Sequence, residues 1–169
     1  MKKLLSIFCG CILLTAMTCT KDGEGSHHHI DFYNSTDYAL YIDRSFDYPD
    51  TSVLHFRNVM TPGWNLKVES HSNNHSALEH FESYECELSE CRSSRNNILM
   101  VFVFNADTLE THGWDYAKEH NMVMQRYDLS LTDLQNLNWT LTFPPTEEMR
   151  NIKMWPPYGT YDENGNRLK

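Results

Sequence analysis

Several features that would assign this chain to a familiar class of protein are scarce or absent. Basic residues are few, with 14 Lys and Arg against 23 Asp and Glu, and the net charge is −9 at pH 7. Such a chain would repel a polyanion, so DNA and RNA are not expected partners. Only 7 glycines occur, and the sequence contains neither a Gly-rich phosphate loop nor a Gly-x-Ser-x-Gly elbow. The sequence therefore gives no support to nucleotide binding or to serine hydrolysis.

Long hydrophobic runs are also missing. The most apolar stretch, residues 4–17, is shorter than the roughly 20 residues that a membrane-spanning helix needs. It follows Lys2 and Lys3, and a charged start before a short apolar stretch is typical of a secretory signal peptide. We predict that residues 1–18 form this peptide. The alternative to a lipoprotein signal peptide that ends before Cys19 is a plain secretory peptide that is cleaved at another site.

The end of this segment carries a more specific pattern. Residues 14–19, Leu-Thr-Ala-Met-Thr-Cys, resemble the lipobox of bacterial lipoproteins, although Met17 stands where a small residue is commoner. The resemblance implies that Cys19 is acylated, with chains such as palmitate, and becomes the mature N-terminus in the outer membrane. Residues 20–24, Thr-Lys-Asp-Gly-Glu, resemble the surface-export signal of lipoproteins in Bacteroides-type bacteria. This second resemblance implies exposure at the cell surface.

Cysteine is scarce as well, with 5 in the chain. Cys9 and Cys11 leave with the signal peptide and Cys19 carries the lipid, so Cys86 and Cys91 remain in an oxidising compartment. We predict a disulfide between them and a helix end or loop in that interval, because positions i and i+5 of a helix point to different faces. Free thiols are one alternative. A zinc site is another, but it would need two more ligands.

The mature chain divides into three parts by composition. Residues 19–27 are predicted to be the lipidated cysteine and a flexible tether, because the segment is polar and contains glycine. Residues 28–145 are predicted to be a β-rich domain. Residues 146–169 combine proline, glycine and charge, and we predict an irregular C-terminal tail.

Short β-type patterns dominate the first half of the domain. Residues 28–33 alternate in polarity, residues 34–37 have turn composition, and residues 38–43 resume an apolar run, so a hairpin is predicted. Further short strands are predicted at 53–56 and 64–68. Because the candidates recur about every ten residues, they favour a sandwich.

The second half mixes strands with short helices. Residues 98–104 are apolar without alternation, which predicts a central strand covered on both faces. Ser130 and Asp133 predict the start of a helix. The remaining predicted elements are helices over 77–85 and 114–120 and strands over 122–127 and 139–143. The fold class predicted is mainly β (α+β), an Ig-like β-sandwich with two or three short helices inserted between the later strands.

Several segments also resemble a family of proteins. These are residues 30–36, 101–110, 113–115, 125–134 and 137–145, which resemble small uncharacterised lipoproteins of Bacteroides-type bacteria. The resemblance covers the signal peptide and most of the mature domain. The family has no established activity or catalytic residues, so the resemblance implies a location and no function.

Nine histidines raise the question of a metal ion. His27 and His29 would share one face of a strand beside Asp31, a weak pattern for Zn²⁺, Ni²⁺ or Cu²⁺. The alternative is an exposed polar entry to that strand. A His-Glu-x-x-His helix is absent. We therefore predict no metal centre and no cofactor, with only weak candidate ligands at His27, His29, His71, His75 and His80.

Aromatic residues in the tail suggest a contact with a partner. Trp155, Tyr158 and Tyr161 lie in a stretch whose proline and glycine do not favour a regular element. Trp and Tyr rings stack on sugars and form hot spots for protein partners. We predict that these three residues bind a partner. The alternative is that Trp155 packs into the end of the sandwich.

Together these patterns predict a non-enzymatic binding or accessory module. It would be held on the membrane by its N-terminal lipid and would contact an envelope protein or a glycan. One alternative is an envelope hydrolase that depends on a metal or on carboxylates. Another is a resistance or immunity protein that captures a cationic effector on its acidic surface.

Overall fold

The computed structural model describes residues 25–89 and 96–169. The signal peptide, Cys19 and Cys91 lie outside these ranges, so what is predicted for them remains a prediction. Within the ranges the protein is mainly β, with one sheet of three strands, one of five, and short helices between them. None of the helices described is long and apolar enough to cross a membrane. The architecture is a sandwich-like α+β fold.

The elements follow one another as short units. The strands are β1 (Asp31–Asn34), β2 (Leu40–Ser45), β3 (Lys67–Val68), β4 (Ser72–Asn74), β5 (Leu99–Asn105), β6 (Gln125–Leu129), β7 (Thr140–Phe143) and β8 (Lys153–Trp155). The helices are α1 (Tyr84–Glu87), α2 (Ala106–His112), α3 (Trp114–Glu119) and α4 (Leu131–Asn136), followed by a 3₁₀ turn at Glu147–Met149.

The two sheets differ in strand direction. The small sheet has the order β4-β1-β7, and β1 runs parallel to β7 and antiparallel to β4. The large sheet has the order β3-β2-β5-β6-β8, with every neighbouring pair antiparallel. Helices α2 and α3 lie between β5 and β6, and α4 lies between β6 and β7, so short helices separate the later strands as predicted.

The hairpin predicted between residues 28–33 and 38–43 is wrong, because β1 and β2 belong to different sheets. The buried Asn34 side chain holds the intervening turn. Its amide donates to the carbonyls of Tyr38 at 2.7 Å and Glu69 at 3.0 Å, and its carbonyl oxygen accepts from the Thr36 hydroxyl at 2.8 Å. These bonds direct the chain from one sheet to the other instead of pairing the strands.

The central position predicted for residues 98–104 is confirmed. On one face of β5, Leu99, Val101 and Val103 pack in a core shared with the small sheet. On the opposite face, Phe102 and Phe104 pack against α2, α3 and the segment 53–66. All of these side chains are at most 1% exposed. The five-stranded sheet is therefore the middle of three layers.

The helix predicted over residues 77–85 is wrong for most of its length. Only α1 is helical there. The backbone N–H of His80 donates to the carbonyl of His28 at 2.8 Å, so this stretch pairs with the segment before β1 rather than with itself. Phe81, which lies within the predicted helix, is 89% exposed.

Two predicted strands of the first half are also corrected. Residues 53–56 form a turn, in which the Phe56 N–H donates to the Val53 carbonyl at 3.1 Å. The strand predicted at 64–68 shortens to β3, since Trp64 closes a turn onto the carbonyl of Thr61. Val53 is nevertheless buried in the second core. The segment thus contributes a buried residue to the core without forming a strand.

The elements of the second half lie closer to their predicted places. Helix α4 begins with a reciprocal cap between Ser130 and Asp133, as the sequence predicts. Strand β6 starts later than predicted for 122–127, because the Met122 N–H still pairs with Ala117 at the end of α3. The tail contributes β8, which pairs with β6 at the edge of the large sheet.

Candidate functional site

An open cavity of about 540 Å³ lies between β2 and the loops that carry residues 57–66 and 76–81. Its walls combine exposed aromatic rings with charged side chains. We call it the aromatic groove and define it by Asp43, Arg44, Arg57, Trp64, His80 and Phe81.

Two aromatic rings of the groove are open to water. Phe81 is 89% exposed and Trp64 is 40% exposed. Trp64 follows a turn in which Gly63 has a φ of +89°, a backbone conformation that costs glycine little. Trp64 is far more exposed than Leu66 and Val68, which follow it and are at most 6% exposed. Contact between an apolar ring and water is unfavourable, yet both rings remain exposed. Packing in the core therefore does not explain their positions.

Two arginines also line the groove. The guanidinium carbon of Arg57 lies 3.6 Å from the centroid of the Trp64 ring, a stacked cation–π contact. A guanidinium nitrogen of Arg44 donates to the backbone carbonyl of Glu79. Within the described residues 25–89 and 96–169, neither arginine forms an ion pair with a carboxylate, and the same holds for Arg167 and Lys169 near the C-terminus. The remaining Lys and Arg side chains of these ranges are all paired: Lys67, Lys118, Arg126, Arg150 and Lys153.

Acidic groups balance part of this charge. Asp43 is half-buried and accepts a hydrogen bond from the backbone N–H of Arg44 at 2.8 Å. Burial raises the pKa of Asp43, although this hydrogen bond and the charges of Arg44 and Arg57 act in the opposite direction. Glu79 is exposed at the rim. The groove therefore holds two cations and two acids, each at a distinct place.

His80 is the remaining polar group of the wall. Its Nδ1 lies 3.0 Å from the carbonyl of Glu82, and its ring meets Phe46 edge to face at 5.3 Å. Burial lowers the pKa of His80. The imidazole is therefore neutral at pH 7 and offers a hydrogen bond without a charge.

The groove continues into a second cavity of about 450 Å³, which shares Glu79, His80 and Phe81 with it. The walls of this extension carry His27, His29 and His75. The rings of His29 and His75 stack at 4.5 Å with an angle of 20° between their planes. Since nearly parallel rings direct their nitrogen lone pairs in parallel planes, the pair does not converge on one metal ion.

The candidate metal ligands are placed apart from one another. His27 pairs with Glu85 at 2.6 Å, His75 with Asp31 at 2.6 Å, and His71 with Asp37 at 2.7 Å. In the part of the chain that the structure describes, no group of three His, Cys, Asp or Glu side chains could hold a metal ion.

The tail aromatics occupy three separate environments. Trp155 is 48% exposed on the edge strand β8. The hydroxyl of Tyr158 donates to Glu147 at 2.9 Å. The hydroxyl of Tyr161 donates to the carbonyl of Met124 at 2.8 Å, and its ring packs on Phe143. The structure thus leaves Trp155 the most accessible of the three, and Tyr161 contacts the core.

Cys86 lies in α1, close to the end of that helix as the sequence predicts for a bridge to position 91. The predicted partner Cys91 falls outside the described residues. The disulfide therefore stays a prediction.

Apart from His80, which the sequence offered only as a weak metal ligand, the residues that define the groove were not found from the sequence. A Thr-Pro-Gly turn just before Trp64 and the polar neighbours of Phe81 are signals that place both rings in loops. Periodicity instead assigned them to a strand and to a helix. Comparisons with protein-family models, curated proteins and solved structures gave no match to this chain.

Proposed function

We propose that this protein is a lipid-anchored, non-enzymatic binding module of the bacterial cell envelope, and that its aromatic groove takes a carbohydrate. The exposure of Phe81 and Trp64 at one open cavity is the observation that carries this proposal. Pyranose rings have an apolar face that packs on aromatic rings, and their hydroxyls need hydrogen-bonding groups beside it. The groove supplies both.

A glycan fits this surface better than a protein partner does. The centre of a protein interface is usually apolar and poor in charge. In this groove the aromatic rings lie beside four charged side chains, those of Arg44, Arg57, Asp43 and Glu79. Alternation of rings with polar groups matches a ligand whose own surface alternates between C–H faces and hydroxyls.

The proposal includes the lipid anchor at Cys19 and an Ig-like form of the β-sandwich. The resemblance of residues 14–19 to a lipobox supports acylation of Cys19 in the outer membrane, and residues 20–24 support surface exposure. Two sheets that share a core, mostly antiparallel, support an Ig-like form of the sandwich. The parallel pairing of β1 with β7 is the feature by which an experimental structure would test that form.

The anchor is tested by the variant Cys19→Ala expressed in the parent cell. Because Cys19 is the residue that would accept the lipid, the variant should move from the detergent-extracted membrane fraction to the soluble fraction. Cys86→Ala is the matched control and should remain in the membrane fraction. A Cys19→Ala protein that still fractionates with membranes would contradict the anchor.

The ligand is tested by calorimetric titration of the Cys19→Ala protein with oligosaccharides of four to six sugars, neutral and acidic. At least one probe should bind, and Phe81→Ala or Trp64→Ala should weaken it by about tenfold or more, as expected for a central ring. Tyr33→Ala removes an aromatic ring of similar exposure, 39%, outside the groove, and it should leave binding unchanged. Absence of binding to every probe would overturn the proposal, as would loss of binding in Tyr33→Ala alone.

A further inference from the structure

We infer that the aromatic groove selects a sugar that bears a carboxylate, such as a uronate, over neutral sugars of the same shape. The inference rests on the proposed function and adds the chemical class of the ligand. It comes from the two arginines of the groove and from the surroundings of each.

The first step concerns charge. Of the nine Lys and Arg side chains within residues 25–89 and 96–169, five form an ion pair with a carboxylate. Arg44, Arg57, Arg167 and Lys169 form none within these ranges, and of these four Arg44 and Arg57 line the same cavity. An anion that enters the groove would therefore meet positive charge that the described part of the chain does not already pair.

The second step concerns the orientation of Arg57. Its guanidinium carbon lies over the Trp64 ring, 3.6 Å from the centroid, a separation that favours face-to-face contact. Stacking uses the face of the guanidinium and leaves its N–H donors at the edge, where they form no hydrogen bond with the described residues. The fork of donors matches the two oxygens of a carboxylate. Stacking also fixes the plane in advance, which reduces the entropy that is lost on binding.

The third step concerns Arg44 and the acids beside it. Arg44 is held in place by its bond to the Glu79 carbonyl, and its backbone N–H occupies one oxygen of Asp43. Asp43 and Glu79 reduce the positive potential of the groove, so we expect selectivity for the anion to be moderate. Asp43 is half-buried, whereas Glu79 is exposed at the rim, where water screens its charge.

The test compares two probes of identical length, tetragalacturonate and its fully methyl-esterified form. Esterification removes the charge and retains the sugar rings. We expect the acid to bind about tenfold more tightly than the ester at low ionic strength. The difference should shrink as salt is added, because a charge contact at an open site is screened.

Variants assign the preference to the arginines. Arg57→Gln and Arg44→Gln should bring the affinity for the acid to that for the ester, whereas Asp43→Asn should increase the preference for the acid. Arg150→Gln removes an exposed arginine outside the groove and should change neither affinity. Melting temperatures within about 2 °C of the parent show that each variant is folded. Arg57→Gln serves as the decisive variant because the Arg57 side chain forms no hydrogen bond or ion pair with residues 25–89 and 96–169.

The outcomes separate the inference from the function on which it rests. Equal binding of acid and ester, or tighter binding of the ester, overturns the inference and leaves a neutral-glycan module. Binding of neither probe or of any other oligosaccharide overturns the proposed function itself. Tighter binding of a sulfated oligosaccharide or of an acidic peptide overturns the choice of a carboxylated sugar.

Discussion

The imidazole of His27 lies 2.6 Å from the carboxylate of Glu85, a residue 58 positions further along the chain. The second carboxylate oxygen of Glu85 accepts the backbone N–H of His27 at 2.9 Å. The same imidazole stacks on Trp139 at 4.0 Å. One acidic side chain of α1 thus fixes the segment that leads into β1, at the point where the predicted tether meets the fold.

Removal of this carboxylate should loosen the entry to the fold. We expect Glu85→Ala to lower the free energy of unfolding by about 1 kcal/mol, because the contact is partly exposed and includes a charge-assisted hydrogen bond. The amides of residues 26–30 should also exchange faster with deuterated solvent. Urea titration and hydrogen exchange measure the two effects.

Glu148→Ala is the matched control for this variant. Glu148 is exposed and is not among the residues that pair with a cation in the described ranges. It should leave stability and exchange unchanged. Equal effects of the two variants would show that the His27–Glu85 contact does not hold this segment.

Two phenylalanines should differ sharply in their effect on stability. Phe104 is 0% exposed and meets Trp114 edge to face at 5.3 Å, whereas Phe81 is 89% exposed. Phe104→Ala should lower the free energy of unfolding by about 3–5 kcal/mol. Phe81→Ala should change it by less than about 0.5 kcal/mol. Chemical denaturation measures both, and a large loss in Phe81→Ala would mean that its ring packs in the fold.

Stability should fall at alkaline pH. Burial raises the pKa of Tyr84 to about 12, opposed by the charge of Arg44. In the unfolded chain a tyrosine loses its proton near pH 10, so between pH 10 and pH 12 the unfolded state releases a proton that the folded state retains. Stability from this group is complete below pH 10 and is lost as pH rises toward 12. Each pH unit in that window should favour unfolding by up to about tenfold.

The variant Tyr84→Phe tests this dependence. It removes the hydroxyl that donates to the carbonyl of Leu78 at 2.5 Å, so it should be less stable at pH 7. Its loss of stability above pH 10 should be shallower than that of the parent protein. Burial also raises the pKa of Tyr38 to about 12, so the variant should retain part of the dependence of stability on pH. Identical slopes in parent and variant would contradict the account.

The cysteines of the mature domain should be oxidised. Labelling of the unfolded protein with a thiol reagent in the absence of reductant should detect no free cysteine. After reduction it should detect Cys86 and Cys91. A reactive thiol in the unreduced sample would instead make one of the two a candidate functional residue.

Patterns of buried residues were easier to predict than the backbone that carries them. The run 98–104 identified β5 because a strand covered on both faces needs apolar residues at every position. The cap of α4 was predictable because Ser130 and Asp133 act within a few residues of each other. The switch of the chain between sheets at Asn34 was not predictable, since it depends on the carbonyl of Glu69, far along the sequence.

The candidate site was harder to predict for the same reason. Arg44, Arg57 and Phe81 come from three separate segments that the fold brings to one cavity. Each is ordinary in its local sequence. What marks them is that neither arginine forms an ion pair within the described ranges and that the ring is exposed, which are properties of the tertiary structure alone.

The parallel contact of β1 with β7 has a consequence for how the chain reaches its folded state. Phe32 lies opposite Leu141, so the small sheet cannot be completed until more than a hundred residues that follow its first strand are available for folding. Pairing over such a sequence distance slows folding, because the entropy of closing a long loop is lost before the contact forms. A chain that crosses a membrane through a narrow channel must stay unfolded during transit. If the predicted signal peptide directs this chain across a membrane, late pairing of its first strand would delay completion of the small sheet until almost all of the chain has passed.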